Sequence, residues 1–567
     1  MTGYPSIDKP WLKYYSEEAI NGKLPECSIY EYMYENNKDY PKDIALNYYG
    51  RKITYAELFA NIDKTAKAFQ AIGVKEREIV TVALPSIPEA LYVVYALNKI
   101  GAVANMIHLL AGKNEIIGYL NEVKSRVAVI FDKTMDILGD GIKETSVKQA
   151  IVVTAACSLP FELKFVYSLK SKSPDCRGVY RKWEDFIKAG ENTELKSYKK
   201  DCHTMAIISH TGGTTGEPKG CMLTDYNINA EIWQIGMSMP HGRQEIMMVV
   251  LPPFVNYSLV NCMLEPLAFG FIEVLIPKYD PLKFAEYVSR YHVNHVNSIP
   301  SYWEALTKIE NIEKYDLSSL NYAFYGGEGM TEEIETQVNG TLKKCGFRRK
   351  LQKGMGMTEA TSATSATYDS VNFFESVGIP LIKNVFKTIN TDSGEECRYG
   401  EEGEICMTGP TVMIGYYENQ KATDDLIKVH KDGNRWIHTG DLGHIDENGV
   451  IYVTGRIKRI IMTKGSDGQV TKLFPDRIEK AVSAVESVEL CCVVGVPDEK
   501  RINYPKAFVV LKHGESASIE KKQEIIAHCK DMLPEYMVPV EIEFRDDFPR
   551  TSRGKVDYRA LENEYNV

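Results

Sequence analysis

The 567-residue sequence lacks several features that mark common classes of protein. Its twelve cysteines form no CxxC pair, so we expect reduced, mostly structural thiols and no metal cluster. No apolar run is long enough to span a bilayer, and the first residues show no secretory signal. The formal net charge of −10 argues against a general nucleic-acid binder, which needs a basic face. These absences predict a cytoplasmic protein without an integral membrane segment, and they leave its oligomeric state, a homo-oligomer included, open.

The composition is that of a folded protein, with 44% apolar and 25% charged residues. The chain is too long for one ordinary core, so two or more domains are expected. Short β-rich runs at 76–85, 126–132 and 149–155 alternate with helical patterns, and the alternation continues beyond residue 320. Such alternation is typical of an α/β fold with mostly parallel sheets flanked by helices.

The pattern changes after Arg456. A short charged strand, a helix, two strands and another helix follow, which is the content of a small α+β domain. We therefore expect a large N-terminal body at 1–456, which binds the nucleotide and the acid inferred below, and a small mobile C-terminal domain at 457–567.

The segment HTGGTTGEPKG at 210–220 points most directly to chemistry. It follows the apolar strand MAIIS and precedes a helix expected to begin near Thr224 or Asp225. Its glycines allow backbone N–H groups to turn toward an anion, while its threonines add hydroxyl donors and Lys219 adds charge. The spacing is not that of a Walker A loop. A flexible surface turn is the plain alternative, but a loop between a strand and a helix with a lysine at its end favours phosphate binding.

Five further segments occur in a fixed order with this loop: GMGMTE at 354–359, GEICMTGP at 403–410 followed by GYY, WIHTGDLG at 436–443, GRIK at 455–458 and PRTSRGK at 549–555. Together the six segments resemble the adenylate-forming (AMP-binding) superfamily. The stretch at 84–110 looks most like bacterial fatty acyl-CoA synthetases. The resemblance implies that the protein uses ATP and Mg²⁺ to join a carboxylic acid to AMP and then transfers the acyl group to coenzyme A.

The resemblance also implies roles for individual residues. The β- and γ-phosphates of ATP would be held by the Gly/Thr loop, that is, by Thr211, Gly212, Gly213, Thr214, Thr215 and Lys219. Thr358 would contact the α-phosphate, and Glu359 would hold Mg²⁺, a hard cation that prefers oxygen ligands. On its own, a Thr-Glu pair is just as typical of a helix N-terminus.

Other residues would surround the nucleoside. Asp441 would accept hydrogen bonds from the ribose hydroxyls, with Arg456 assisting there or at the phosphate. Two glycine-containing segments would lie along the adenine and the acyl pocket, namely Gly326, Gly327 and Glu328 in one and Gly354, Met355 and Gly356 in the other.

By the same resemblance, Lys555 is the catalytic lysine that bridges the acid and the α-phosphate. Lys458 occupies the hinge, about which the C-terminal domain would rotate to withdraw Lys555 and admit the thiol.

The sequence departs from the family pattern at three places. Met355 stands where many members carry an aromatic residue on the adenine, so a thioether is expected to pack there. Val255 replaces a histidine that often gates the acyl channel, and it offers no carboxylate to pair with an α-amino acid. The segment after Gly465 is longer than usual.

The resemblance of the stretch at 84–110 and the absence of a carboxylate at Val255 favour a fatty or other apolar acid as the substrate. Four aromatic residues near the pocket motifs are candidates for its lining, and half or more are expected to be core residues: Tyr257, Tyr302, Trp303 and Tyr325. An acyl-AMP ligase that loads a carrier protein shares every adenylation motif and remains the alternative. A non-catalytic relative is disfavoured because Glu359, Lys555 and the Gly/Thr loop are intact.

Overall fold

A computed structural model describes residues 2–170, 174–196, 198–199, 201–211, 218–464, 470–498, 500–550 and 556–565. Within them, three large sheets form the part of the chain that precedes residue 457, and smaller sheets form the part that follows. The α/β class predicted from the sequence is confirmed. Among the described residues, no helix has both the length and the apolar composition that crossing a membrane requires. None of the twelve cysteines, all of them described, forms a disulfide.

The first sheet has eight strands, of which six are parallel and two at one edge are antiparallel. In spatial order its strands are Gly415–Tyr416, Gly220–Thr224, Met205–His210, Val103–Met106, Ile79–Ala83, Val127–Phe131, Gln149–Val153 and Tyr180–Lys182. Its chain segments also contain the helices Tyr55–Ala71, Pro88–Lys99, Lys113–Glu122, Asp132–Leu138, Phe161–Lys170, Trp183–Ala189 and Asp225–Ser238.

The second sheet has seven strands, which are parallel except for one antiparallel edge strand. In spatial order they are Gln352–Lys353, Tyr322–Tyr325, His295–Ser298, Ile246–Val249, Ile272–Leu275, Ile44–Tyr48 and Arg51–Thr54. The helices of its segments are Ile29–Asn37, Asn256–Ser258, Glu265–Ala268, Phe284–Tyr291, Pro300–Glu304 and Glu332–Lys344, with a π-helix at Leu259–Leu264.

The helix Pro88–Lys99 shows why the two sheets form one body. Its residues 88–98 are buried, so the helix is enclosed around its whole circumference and not on one face only. A helix of this kind is stable only inside a core. The largest apolar cluster contains residues of this helix together with strands of both sheets.

A third sheet is antiparallel and was not foreseen by the pattern of alternating strands and helices. Its strands are Val385–Ile389, Gly403–Thr408, Arg435–Ile445, Ile427–Val429 and Ile451–Arg456, with the helix Gln420–Leu426 beside them. A two-stranded ladder joins Ser365–Ala366 to Ile379–Pro380.

The part of the chain after residue 456 has apolar clusters of its own, whose members all lie between residues 461 and 565. Its strands are Ile461–Lys464, Val470–Leu473, Val488–Asp498, Ile502–Leu511 and Glu541–Phe544, and its helices are Pro475–Ser483, Ile519–Met532 and Tyr558–Asn563. The helices Pro475–Ser483 and Ile519–Met532, the two long strands and the strand Ile461–Lys464 agree with the sequence prediction, whereas the strand Glu541–Phe544 and the helix Tyr558–Asn563 were not predicted. The hairpin formed by the first two strands was not predicted.

The remaining elements are short. Near the N-terminus lie the helices Pro5–Asp8 and Glu17–Asn21 and the 3₁₀ turn Pro10–Tyr14. Other 3₁₀ turns are Gly139–Glu144, Pro281–Lys283, Ala305–Lys308, Ile312–Lys314, Thr358–Ala360, Asp369–Val371, Ile457–Arg459 and Glu535–Met537.

Ion pairs join the C-terminal part to the rest of the chain. Lys472 Nζ lies 2.9 Å from Asp392, Lys512 Nζ lies 3.8 Å from Glu333, and Lys480 pairs with Glu375. All six side chains are more than a third exposed. Exposed pairs of this kind contribute about 0–1 kcal/mol each, so these contacts hold the C-terminal part in place only weakly.

Candidate active site

A cavity of about 1250 Å³ opens where the three large sheets and the C-terminal part meet. It collects residues from motifs as far apart in the sequence as Thr211 and Lys458. The predicted site residues that line it are Thr211, Lys219, Gly326, Gly327, Glu328, Gly354, Met355, Gly356, Thr358, Glu359, Arg456 and Lys458. Gly212, Gly213, Thr214, Thr215 and Lys555 lie outside the described residues.

The two ends of the Gly/Thr loop are joined by one backbone hydrogen bond and by one from a backbone N–H to a side-chain hydroxyl. Thr211 N donates to the carbonyl oxygen of Lys219 over 2.9 Å, and Lys219 N donates to Thr211 Oγ1 over 3.2 Å. The loop connects two antiparallel strands, Met205–His210 and Gly220–Thr224. The helix expected near Thr224 or Asp225 begins at Asp225, whereas the strand between the loop and this helix was not predicted. A five-residue strand intervenes, because the apolar residues of CML pair with the sheet before the helix begins at Asp225.

Tyr416 links the loop lysine to the predicted magnesium ligand. The Lys219 ammonium lies 5.0 Å from the centre of the Tyr416 ring, within the range of a cation–π contact. The Tyr416 hydroxyl donates to Glu359 Oε1 over 2.7 Å. The sequence analysis gave Tyr416 no role, although it belongs to the quoted GYY segment. Glu359 is thus held through one carboxylate oxygen, and no side chain among the described residues donates a hydrogen bond to the other.

Backbone strain lies next to Glu359. Thr358 and Glu359 form a short 3₁₀ turn, and Thr361 just after it has φ = 71°, a conformation that β-branched residues rarely adopt. The strained residue is held at both ends: its Oγ1 donates to the Thr411 carbonyl over 2.8 Å, and its own carbonyl accepts from Asn256 Nδ2 over 2.7 Å. Strain held in this way is common at functional sites.

Two glycines of the GMGMTE segment are required by close packing of the main chain. A Cβ atom on Gly354 would lie 2.3 Å from the carbonyl oxygen of Ser365, and one on Gly356 would lie 2.2 Å from that of Ser362. No side chain fits such distances. Position 327 has φ = +87°, a backbone conformation that glycine adopts most easily. Glu328 next to it is exposed and lines the cavity.

Asp441 lies next to the cavity and does not line it. Antiparallel pairing sets it opposite Arg456, whose Nε approaches Asp441 Oδ1 to 2.6 Å. Burial raises the pKa of Asp441 to about 6, although the Arg456 charge acts in the opposite direction. Arg456 itself is 62% exposed and lines the cavity, so it can move to a ligand.

Lys458 lies between two anchored arginines. Arg456 contacts Asp441 of the third sheet, whereas Arg459 donates to Asp476 over 3.0 Å and to Glu479, both of the C-terminal part. Lys458 is exposed in the 3₁₀ turn between them. The predicted hinge residue thus lies in a short link between the ion pair of Arg456 in the third sheet and those of Arg459 in the C-terminal part.

Two described residues that follow Lys555, Val556 and Tyr558, line the same cavity as Thr358 and Glu359. The described segment that follows Lys555 in the sequence therefore reaches the cavity. The approach of Lys555 itself to the reacting groups stays a prediction, because Lys555 lies outside the described residues.

The cavity continues inward into a compartment of apolar and aromatic side chains, including Val255, Phe254 and Ile299. Three of the four predicted aromatic residues line it, namely Tyr257, Tyr302 and Tyr325. Trp303 does not. It is fully buried and donates its indole N–H to the Phe324 carbonyl over 2.9 Å, so it is a core residue.

The residues present fit a nucleoside triphosphate with a divalent cation. Lys219 and Arg456 supply positive charge, while Glu359 supplies a hard oxygen ligand beside the Thr358 hydroxyl. Such an arrangement can hold phosphates on one side and an apolar acid on the other.

Comparisons with known proteins agree with this geometry. Residues 33–417 match the family described as AMP-binding enzyme, and residues 477–555 match the AMP-binding enzyme C-terminal domain. A long-chain-fatty-acid–CoA ligase of Bacillus subtilis is 30% identical over 98% of both chains. A probable 4-coumarate–CoA ligase 1 of Dictyostelium discoideum is 28% identical, over 91% of this chain and 92% of its own.

Among solved structures, ATP-bound MatB from Rhodopseudomonas palustris superimposes with a TM-score of 0.81 at 21% identity, over 95% of this chain and 99% of its own. At that identity the likeness concerns the fold. The match of the family to more than half of the chain is the stronger finding. The chain belongs to the AMP-binding enzyme family.

Proposed function

We propose that the protein activates a carboxylic acid with ATP and transfers the acyl group to coenzyme A. The observation that carries the proposal is the single cavity that Lys219, Glu359 and Arg456 line together with many apolar side chains. The charged groups suit the phosphates of ATP, and the apolar side chains suit the body of the acid.

In the first step, a carboxylate oxygen attacks the α-phosphorus and the bond to the β-phosphate breaks, which releases pyrophosphate and leaves acyl-AMP. Lys219, Thr211 and the Gly/Thr loop hold the β- and γ-phosphates, and Thr358 contacts the α-phosphate. Mg²⁺ held by Glu359 would offset part of the phosphate charge. Lys555 bridges the two anions, which otherwise repel each other, and thereby aligns them for attack.

In the second step, the sulfur of coenzyme A attacks the acyl carbon, the thioester forms, and AMP leaves. Asp441 and Arg456 hold the ribose through both steps. Gly326, Gly327 and Glu328, with Gly354, Met355 and Gly356, lie along the adenine and the start of the acyl compartment.

We further propose that residues 1–456 and 457–567 act as two domains that rotate about Lys458 between the steps. Three features support this rotation. The C-terminal part has its own apolar clusters, and its ion pairs with the body are exposed. Arg456 forms an ion pair with the third sheet, whereas Arg459 forms one with the C-terminal part. Rotation would withdraw Lys555 and open the thiol path.

A fatty or other apolar acid is the proposed substrate. The apolar inner compartment supports this, as do relatives named for long-chain fatty acids and for 4-coumarate. A cytoplasmic location is part of the same proposal and is supported by twelve cysteines without a disulfide.

The test is pyrophosphate release by the purified protein with ATP and Mg²⁺ over a panel of acids, each with and without coenzyme A. The proposal predicts AMP and acyl-CoA in equal amounts only when acid and coenzyme A are both present. Accumulation of acyl-AMP that coenzyme A never consumes would favour the carrier-loading alternative. Hydrolysis of ATP without any dependence on acid would contradict both.

A further inference from the structure

A group of polar side chains interrupts the apolar inner compartment. Asn261, Glu265, Asn297 and Ser362 all line the cavity, and we call these four residues the polar belt. They come from three separate stretches of the chain, at 261–265, 297 and 362, so their proximity is a property of the fold. A plain apolar pocket has no need of such groups, because each buried polar group must be hydrogen-bonded to avoid an energetic cost.

The local backbone explains how the polar belt is built. Asn261 lies in the π-helix Leu259–Leu264, and Glu265 begins the helix that follows. π-Helical turns are rare and occur frequently at functional sites, since the extra residue redirects side chains. Here two polar residues of this segment reach the same cavity as Thr358 and Glu359.

Hydrogen bonds fix Asn261 completely. Its Nδ2 donates to Glu231 over 2.8 Å and to Glu265 Oε2 over 3.5 Å, and its Oδ1 accepts from the Ser362 hydroxyl. Its backbone carbonyl accepts from Asn297 Nδ2 over 3.0 Å. Asn261 is therefore a scaffold. The groups that the polar belt offers to the cavity are the Glu265 carboxyl and the amide oxygen of Asn297.

Glu265 is only 7% exposed. Burial, together with the nearby Glu231, raises the pKa of the Glu265 carboxyl well above its ordinary value. No cation from the described residues pairs with it. A neutral carboxyl can accept a hydrogen bond through one oxygen and donate one through the other. It is thus suited to a polar neutral partner, or to an ammonium that would ionise it.

The pairing of strands in the second sheet shows where the polar belt lies along the cavity. Asn297 pairs with Phe324, and His295 pairs with Tyr322. All four side chains line the cavity, and the second pair lies two residues, or about 7 Å, further along the strands. The polar belt therefore lies between the nucleotide motifs and an aromatic chamber, so a group bound there must belong to the acid.

We propose that the polar belt recognises a hydrogen-bond donor, a hydroxyl or an amino group, on an otherwise apolar acid. The inference rests on the function proposed above and narrows its substrate class. A hydroxyl would donate to the Asn297 amide oxygen and accept from the neutral Glu265 carboxyl, whereas an amino group would donate one hydrogen to each of these two residues. An acid without this group leaves both unpaired or forces water to stay, and sites built for a hydrogen bond discriminate strongly against such analogues.

The experiment compares matched acids on the full-length protein. The probes are 3-phenylpropanoate with and without a ring hydroxyl or amino group at each position, and octanoate with and without a chain hydroxyl. The value of kcat/KM for pyrophosphate release is measured for each. The inference predicts that one hydroxylated or aminated acid exceeds its parent by about tenfold or more, which corresponds to one hydrogen bond.

Variants locate the effect. Glu265→Leu should abolish the preference for the substituted acid, with kcat/KM for the parent acid unchanged or higher. Glu265→Gln should keep part of this preference. Glu273→Leu is the matched control, because Glu273 is a fully buried carboxyl on a neighbouring strand that does not line the cavity. The control should leave the preference unchanged.

The outcomes separate the two proposals. Turnover of the parent acids at rates equal to their substituted forms would overturn the inference and leave the proposed function intact. A preference that survives Glu265→Leu would also overturn it. Release of pyrophosphate from none of the acids would instead contradict the proposed function. A preference for either the amino or the hydroxyl form that is lost in Glu265→Leu would support the inference.

Discussion

The hydrogen bond from Tyr416 to Glu359 offers a sharp test of the site, because one oxygen atom can be removed without changing the ring. Tyr416→Phe deletes the hydroxyl that donates to Glu359 Oε1 over 2.7 Å. The ring that lies under Lys219 is retained, so the cation–π contact should persist. Any effect is then assigned to the orientation of the Glu359 carboxylate.

The expected magnitude follows from the surroundings. A hydrogen bond to a charged group contributes about 1.5–3 kcal/mol. Glu359 lines the cavity, where water can replace the lost donor, so the lower end of that range applies. About 1.5 kcal/mol corresponds to roughly a tenfold fall in kcat/KM. Since Glu359 is the proposed magnesium ligand, the fall should be largest at low Mg²⁺ and smaller at saturation.

The assay is pyrophosphate release as a function of Mg²⁺ concentration for the wild type, Tyr416→Phe and the control Tyr417→Phe. Tyr417 is the next residue and is only partly buried, and the control removes the same atom there. A Tyr416→Phe protein with the wild-type kcat/KM and the wild-type Mg²⁺ dependence would refute the role given to this bond.

Three further changes test other parts of the site. Asp441→Asn should raise the melting temperature of the unliganded protein at pH 8. Burial raises the pKa of Asp441 to about 6, so above that pH the ionised carboxylate lowers the stability of the folded protein. This loss of stability fades as the pH falls toward 4. The same variant should raise the KM for ATP, and an unchanged KM would argue against ribose binding. Gly356→Ala should lower the melting temperature by several degrees, since its Cβ would lie 2.2 Å from the Ser362 carbonyl oxygen, whereas Gly340→Ala, where nothing lies within 4 Å, should not. Lys555→Ala should slow formation of acyl-AMP about 100-fold or more while leaving the conversion of supplied acyl-AMP to acyl-CoA, and equal loss of both steps would contradict the division of labour.

Much of the site could be predicted because its residues lie in short segments whose composition reflects local geometry. Gly354 and Gly356 are examples, since the structure has no room for a side chain at either position. The strands at 79–83 and 127–131 were evident as short apolar runs between polar segments. The roles predicted for these site residues in binding and catalysis stay predictions, because the positions of the side chains do not report their effect on the reaction.

Other features could not be predicted because they depend on pairs distant in sequence. Tyr416 and Glu359 are 57 positions apart, and only the fold brings the hydroxyl to the carboxylate. The antiparallel third sheet escaped notice because its strands differ in length from three to eleven residues and lack the alternating helices. Trp303 resembled a pocket residue by its neighbours in sequence, yet its indole faces the core.

The polar belt illustrates the same limit. Asn261 and Glu265 stand in an apolar stretch that suggests an ordinary buried helix, and the π-helix that turns them toward the cavity has no sequence signature. Their significance appears only when Asn297 and Ser362 are placed beside them.

The measurement that tests the central claim most directly uses an acid labelled with ¹⁸O in both carboxylate oxygens. If a carboxylate oxygen attacks the α-phosphorus and the thiol then attacks the acyl carbon, each turnover leaves one ¹⁸O in AMP and one in the thioester. Mass spectrometry of both products after a single turnover should show this equal division. AMP without the label, or ADP and labelled inorganic phosphate in its place, would contradict an acyl-adenylate.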